Sequence, residues 1–135
     1  MASFKKQIPE FKKYINDHLK MILNASDQSS KELSEAMEYS VMNGGKRIRP
    51  LMMLASAETV DVDPQDMIHF ATAIELPHSF SLIHDDLPCM DDDSMRRGQP
   101  TTHIKFGEAT ATLAADSLQS LAFELMSKAK YPQSK

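Results

Sequence analysis

Acidic side chains are concentrated in residues 85–93, within the segment LIHDDLPCMDDDSMRRGQP that spans residues 82–100. The five aspartates of this segment are followed at once by Arg96 and Arg97. Clustered carboxylates repel one another unless a cation lies among them, and hard oxygen ligands favour magnesium. Magnesium held by one or two carboxylates completes its shell with water and phosphate oxygens, which arginine side chains also bind. The residue types therefore indicate a metal–phosphate site, although an acidic loop that simply faces water would have the same composition.

The two outer acids of this segment cannot share an ion on a regular helix. Six residues separate Asp85 from Asp91, which places them about 240° apart around a helix axis. Pro88 lacks the N–H that would bond the carbonyl of His84, and it disfavours helical geometry at Leu87. The sequence therefore predicts that the helix ends or loosens here, so that Asp91 can turn back towards Asp85. A calcium loop is less favoured, because the glycine that an EF-hand needs is missing.

A second group of basic residues lies in GGKRIRP, residues 44–50. Lys46, Arg47 and Arg49 stand between the end of one predicted helix and the start of the next. They could bind an anion together with the N–H groups of the helix start, or only complement the dipole of the preceding helix. The spacing excludes a P-loop.

The elements that carry these groups are predicted to be helices throughout. Apolar residues recur at steps of three and four from Phe4 to Ile22, which is typical of one amphipathic helix. A loop follows at residues 24–30. A second helix is predicted to begin at the capping box of Ser29 and Glu32 and to end at the sequence NGG, residues 43–45. Pro50 suits the first turn of a third helix, whose run LMMLASA predicts burial on all sides.

Two further helices complete the predicted architecture. Asp63 and Pro64 are typical of a helix start, and the apolar run of residues 67–84 leads from there into the aspartates. Pro77 lies inside this run, so we expect a kink near His78. After a polar loop, residues 108–126 predict another apolar helix. With few glycines and few β-branched runs, the fold class is all-α.

The composition limits the classes of protein. The chain has 135 residues, 41% of them hydrophobic, a net charge of −4 and one cysteine. We therefore expect a soluble domain in a reducing compartment, with cytoplasmic localisation, no membrane span and no basic surface for nucleic acid.

Together these motifs resemble the trans-prenyltransferases, the polyprenyl diphosphate synthase family. GGKRIRP is similar to the family's G-K-R-x-R-P element. Residues 81–118 are similar to its first aspartate-rich motif, D-D-x-x-x-x-D, with the R-R-G-x-P-T that follows. The similarity covers roughly residues 40–126 and is highly specific, because two motifs occur in the expected order. It implies the all-α isoprenoid synthase bundle, a homodimer, and Mg2+-dependent condensation of isopentenyl diphosphate with an allylic diphosphate.

The resemblance assigns roles residue by residue. Asp85 and Asp91, with Asp86 beside them, match the magnesium ligands, and Arg96 matches the arginine that binds the allylic diphosphate. The residues that match the isopentenyl diphosphate site are Lys46, Arg49, His78 and Arg97.

Product length is predicted from the residues before the aspartates. In the family, the fourth and fifth residues before the motif line the floor of the product cavity. Here they are Ser81 and Phe80, and an aromatic fifth residue is similar to bacterial-type synthases that make the C15 product, farnesyl diphosphate. Phe80 could equally be only a core aromatic.

The sequence departs from the family in extent. Chains of this family are about twice as long and carry a second aspartate-rich motif that this sequence lacks. We therefore expect residues 1–135 to be the N-terminal portion of a single polyprenyl synthase domain that does not complete the condensation alone. Two alternatives remain: an all-α metal-dependent phosphohydrolase, suggested by His78, His84 and Asp85, and a non-catalytic diphosphate-binding subunit.

Overall fold

The structure is a computed structural model that describes residues 2–25 and 30–129, with side chains from residue 5 onward. Seven α-helices and one short antiparallel hairpin make up the described residues. In chain order they are α1 (Ala2–Ala25), α2 (Lys31–Met42), α3 (Ile48–Thr59), a 3-10 turn (Pro64–Met67), α4 (Ile68–Ala73), α5 (Glu75–Asp86), β1 (Met95–Arg96), β2 (Gln99–Pro100), α6 (Thr102–Phe106) and α7 (Glu108–Lys128). The all-α fold class is confirmed, and none of these helices is long and apolar enough to cross a membrane.

Helix α7 packs against α2, α4, α5 and α6 through one face. Its buried face consists mostly of alanines (Ala111, Ala114, Ala115, Ala122) around Leu118. Such small side chains let neighbouring helices approach closely, so that α5, which carries the aspartates, is held along much of its length. On the other side, α1 packs against α2, α3 and α4 and buries Ile15 and Leu19 completely.

The N-terminal helices follow the predicted pattern closely. Helix α2 is capped by Ser30, whose side chain accepts a hydrogen bond from the Leu33 N–H, whereas the predicted cap, Ser29, lies outside the described residues. The helix ends at Asn43, and Gly44 takes a positive φ, as the NGG sequence predicts. The side chain of Phe4 also lies outside the described part.

The prediction that α3 is buried on all sides is wrong. Leu51, Leu54 and Ala57 recur at three-residue spacing and are buried, but the side chain of Met52 is 64% exposed. The reason is that α1, α4 and the 3-10 turn cover only one face of α3. A helix whose residues are apolar around its whole circumference is therefore not always covered by other helices on every side.

The long run predicted for residues 67–84 is divided into three elements. Asp63 caps the start as expected, with Oδ1 accepting a hydrogen bond from the Gln65 N–H at 2.8 Å, but the turn that follows is 3-10 rather than α. The break that Pro77 predicts occurs at Ile74, three residues earlier, so that Pro77 lies in the first turn of α5. A missing proline N–H costs little at that position, because first-turn N–H groups have no partner within the helix.

Candidate active site

Helix α5 ends between the two outer acids, as Pro88 predicts. Leu87 takes an extended conformation with ψ 152°, and its carbonyl accepts hydrogen bonds from the N–H groups of Met90 and Asp92 at 2.9 and 3.1 Å. The N–H of Asp91 donates to the carbonyl of Asp85 at 2.9 Å. The chain therefore folds back on the helix end, and the backbones of Asp85 and Asp91 are adjacent.

The three predicted ligands differ in their surroundings. Asp85 is half-buried and Asp91 is exposed, so both carboxylates can reach a ligand from solvent. Asp86 is 3% exposed, and Arg96 engages both of its oxygens: Nε donates to Oδ1 at 3.0 Å and to Oδ2 at 2.9 Å, and Nη2 donates to Oδ1 at 2.6 Å. These hydrogen bonds raise the pKa of Arg96 above its ordinary value. Asp86 is thus the partner of an arginine here, and its assignment as a metal ligand stays a prediction.

The carboxylates of Asp85 and Asp91 suit magnesium, which phosphate oxygens help to bind, better than they suit a metal ion whose ligands all come from the protein. Across residues 2–25 and 30–129, no three His, Cys, Asp or Glu side chains converge as a ready-made metal cluster. Magnesium commonly needs only one or two carboxylates when phosphates supply further oxygens. Asp85 and Asp91 therefore fit this ion if a diphosphate binds with it.

A tight hairpin, which the sequence analysis predicts only as a polar loop, presents the two arginines. Met95 pairs with Pro100 and Arg96 with Gln99, and the turn residues Arg97 and Gly98 have φ of 53° and 77°. Two positive φ values characterise a type I′ turn, the form that matches strand twist. Arg96 lies in the strand and Arg97 in the turn. Their side chains therefore point in different directions, that of Arg96 to Asp86 and that of Arg97 to the loop before α3.

Arg97 crosses to the loop between α2 and α3. Its Nη1 donates to the carbonyl of Gly44 at 2.7 Å. A Cβ on Gly45 would lie 2.9 Å from the same nitrogen, and Gly45 has φ 122°. Glycine at residue 45 therefore provides both the backbone conformation and the space that Arg97 occupies.

Arg47 differs from the neighbouring basic residues because its side chain is buried. It is 4% exposed and takes a left-handed conformation, with φ 54°. Its Nη1 donates to Glu75 Oε1 at 2.9 Å, Nε to Asn16 Oδ1 at 2.9 Å and Nη2 to the carbonyl of Val41 at 2.8 Å. Arg47 therefore ties α1, α2 and α5 together at the start of α3, while Lys46 and Arg49 on either side are exposed.

One pocket of about 570 Å³ brings together the four residues predicted for a second anion. Lys46, Arg49, His78 and Arg97 all line it, with Glu75 in its wall. Partial burial and the charge of Arg49 lower the pKa of His78 below its ordinary value. We call this the cationic pocket.

Phe80 lies on α5, five residues before Asp85. It is half-buried, packs against the hydrophobic core, and its ring centroid lies 4.4 Å from that of His84. The His84 Nε2 lies 3.7 Å from Asp116 Oδ1, which is too long for a hydrogen bond. These contacts are compatible with a core aromatic as well as with a cavity floor.

Sequence reasoning missed two site residues. Glu75 was not singled out, because one glutamate in an apolar run gives no signal of its own. Arg47 was grouped with Lys46 and Arg49, and only its left-handed backbone reveals that it points inward.

Thr101 is also buried, and its hydroxyl donates to the carbonyl of Asp93 at 2.8 Å, which fixes the hairpin to the acidic segment.

Comparison with known proteins identifies the family of this chain. Residues 30–134 match the family model described as polyprenyl synthetase. The chain is 44% identical over 128 residues to the farnesyl diphosphate synthase of Haemophilus influenzae, covering 95% of the chain and 43% of that enzyme. It is 53% identical over 94 residues to geranylgeranyl pyrophosphate synthase 11 of Arabidopsis thaliana, covering 70% of the chain and 26% of that protein.

Solved structures show the same likeness in three dimensions. A geranyltransferase from Legionella pneumophila superposes with a TM-score of 0.91 at 38% identity, covering 95% of this chain and 45% of that one. A geranyltranstransferase from Thermotoga maritima gives a TM-score of 0.85 at 41% identity, covering 90% and 45%. The chain spans less than half the length of these relatives. On the match to residues 30–134 and these identities, the chain belongs to the polyprenyl synthetase family.

Proposed function

We propose that the protein of which this chain forms part condenses isopentenyl diphosphate with an allylic diphosphate to give farnesyl diphosphate. The observation that carries the proposal is the hairpin, which directs Arg96 to the acidic segment and Arg97 to the cationic pocket. Two neighbouring anion sites are what a reaction between two diphosphates needs. The names of the relatives, farnesyl diphosphate and geranylgeranyl pyrophosphate synthases, support the same chemistry.

At the acidic site, Asp85 and Asp91 would hold magnesium together with the allylic diphosphate. The metal supplies Lewis-acid stabilisation of the negative charge that develops on the departing diphosphate. Arg96 contributes a fixed positive charge at the same place, and its bidentate contact with Asp86 keeps it oriented before substrate binds. An oriented donor that needs no rearrangement during the reaction lowers the barrier most effectively.

The chemistry divides between the two sites. The carbon–oxygen bond of the allylic diphosphate breaks, and both electrons leave with the diphosphate oxygen. The double bond of isopentenyl diphosphate, held through Lys46, Arg49, His78 and Arg97, attacks the allylic cation. The carbon next to the new cation then gives a proton to an oxygen of the released diphosphate, which restores a double bond. Holding both reactants in place converts a bimolecular encounter into a positioned one.

We further propose a C15 product, with Phe80 limiting chain growth, and a homodimeric whole protein. Phe80 precedes Asp85 by five residues on the same helix, about 7.5 Å along its axis, and a chain that grows from the acidic site towards the start of α5 would meet its ring. The assembly state is measured by light scattering of the full-length protein.

The direct test is an assay with labelled isopentenyl diphosphate and geranyl diphosphate. The purified chain is compared with the same chain mixed with the complementary C-terminal half of the Haemophilus influenzae relative. We expect prenyl product only in the mixture, and loss of that product on Asp85→Asn or Asp91→Asn, whereas Asp17→Asn on the exposed surface of α1 serves as the control.

The alternatives give different outcomes in the same assay. Release of inorganic phosphate without a new carbon–carbon bond would support a metal-dependent phosphohydrolase instead. Diphosphate binding with no product in the mixture would support a non-catalytic subunit. Product formation by the chain alone would contradict the expectation that this half is inactive.

A further inference from the structure

Glu75 places a buried carboxylate in the wall of the cationic pocket. Its side chain is 5% exposed, and Oε1 accepts a hydrogen bond from Arg47 Nη1 at 2.9 Å. Its other oxygen, Oε2, is buried and has no hydrogen-bond partner. A buried charged oxygen without a partner costs free energy, and native proteins rarely leave one unexplained.

Arg47 already directs each nitrogen of its guanidinium to another acceptor. Besides Glu75 Oε1, it serves Asn16 through Nε and the Val41 carbonyl through Nη2. Arg47 makes no hydrogen bond to Oε2 in this arrangement, and the cationic pocket is the side from which a further donor can reach that oxygen.

His78 is the side chain best placed to be that donor. It follows Glu75 by three residues on α5, and residues at this spacing lie on the same helix face. Helical side chains lean towards the N-terminus, so the imidazole covers the turn that carries Glu75. Both residues line the cationic pocket, and Glu75 acts on His78 electrostatically.

The charges around His78 come from three elements. Arg49 faces it from α3, Arg96 and Arg97 from the hairpin, and Glu75 from its own helix. Burial and the three arginines lower the pKa of His78, whereas Glu75 raises it. A bound diphosphate would offset the arginines and leave Glu75 to favour the charged imidazole.

We propose that Glu75 is a positioning residue for His78: when a diphosphate enters the cationic pocket, Oε2 accepts a hydrogen bond from one ring N–H, and the other ring N–H faces the diphosphate. The inference rests on the proposed function, because that function supplies the ligand. Glu75 itself does not touch the diphosphate. It orients the imidazole and favours the protonated form, as carboxylates do for histidines that must present one defined edge.

The first measurement uses the unaltered chain with isotopically labelled histidine. Ring nitrogen and carbon shifts of His78 are followed by NMR from about pH 5 to 8, with and without inorganic pyrophosphate. Pyrophosphate is expected to raise the pKa of His78 and to shift one ring nitrogen to the position of a hydrogen-bonded donor. Bound pyrophosphate with both ring nitrogens unchanged would overturn the proposal.

The second measurement removes the charge of Glu75. Glu75→Gln keeps an oxygen for Arg47, and it is expected to lower the pKa of His78 in the free chain by on the order of 0.3 unit. It should weaken pyrophosphate binding several-fold near pH 6 and less near pH 8, where His78 is neutral in both proteins. Glu10→Gln, on the exposed side of α1, is the matched control and should change neither quantity.

Folding is controlled with the double variant Arg47→Gln/Glu75→Gln, which leaves no unpaired buried charge. A lowered pKa of His78 in folded Glu75→Gln supports the proposal, whereas an unchanged pKa in that variant refutes it. If Glu75→Gln does not fold, the double variant is compared with Arg47→Gln, and a lower pKa of His78 in the double variant is the supporting result. Failure of pyrophosphate to bind the unaltered chain would count against the proposed function instead. The free-chain titration of Glu75→Gln would still test the Glu75–His78 contact.

Discussion

Replacement of Arg47 by Met tests the claim that this arginine is structural although it lies in a basic motif. Met is close in length and unbranched, so the left-handed backbone at φ 54° is about equally strained before and after the change. The substitution removes the 2.9 Å ion pair with Glu75, whose side chains are 3% and 5% exposed, and the hydrogen bonds to Asn16 and Val41.

The expected cost follows from the burial of the pair. Removing one partner of a buried ion pair leaves an uncompensated charge and costs about 3–5 kcal/mol. This is a large part of the roughly 5–15 kcal/mol that separates folded from unfolded domains. For a chain of this length, the melting temperature should fall by roughly 10–20 °C.

The assay is denaturant and thermal unfolding followed by circular dichroism. Arg49→Met, the same chemical change two residues later on an exposed side chain, should alter the free energy of unfolding by less than about 0.5 kcal/mol. Arg47→Met/Glu75→Met should be more stable than the single variant by about 2 kcal/mol or more, because no charge is left unpaired. Equal small losses for Arg47→Met and Arg49→Met would refute the structural role of Arg47.

Three further predictions concern other parts of the chain. Gly45→Ala and Gly98→Ala should each cost about 1 kcal/mol for the left-handed backbone. Only the change at Gly45 should also weaken pyrophosphate binding, because the new Cβ would lie 2.9 Å from Arg97 Nη1, whereas a Cβ at Gly98 has no atom within 4 Å. Calorimetric titration of both variants with pyrophosphate measures this difference. Burial and the neighbouring His69 lower the pKa of His18 to about 4. The unfolded chain therefore takes up a proton first, and the free energy of unfolding should fall by roughly 3 kcal/mol between about pH 6.5 and 4 and level off below that range. His18→Gln should remove this part of the pH dependence, and an identical pH profile in the variant would contradict it. In the whole enzyme, Phe80→Ala should give products longer than C15 by chromatography of the prenyl chains, and unchanged products would remove the role of Phe80.

Local chemistry made the helix ends predictable from sequence. Pro88 ended α5 between Asp85 and Asp91 because it lacks an N–H and restricts the residue before it. The NGG sequence ended α2 for a similar reason. These effects act within one or two residues, where a single sequence carries the full information.

Burial depended on contacts that the sequence does not display. The sequence gives no reason to distinguish Lys46, Arg47 and Arg49, which are all basic. The left-handed backbone of Arg47 directs its side chain into the core. Met52 was predicted to be buried and is exposed, because the number of helices that cover α3 is a property of the whole bundle. Asp86 likewise became the partner of Arg96 only through a hairpin that the polar composition of residues 92–100 did not reveal.

The I′ turn at Arg97 and Gly98 links the two proposed anion sites through one short segment of backbone. Arg96 ends strand β1 and Arg97 begins the two-residue turn, so the two arginines are consecutive residues and neither backbone can be displaced far without displacing the other. A ligand that pulls the turn towards itself changes the fit of the second ligand, and linkage requires the effect to be equal in both directions. If the proposed function holds, the affinity for each diphosphate is therefore expected to change when the other is bound.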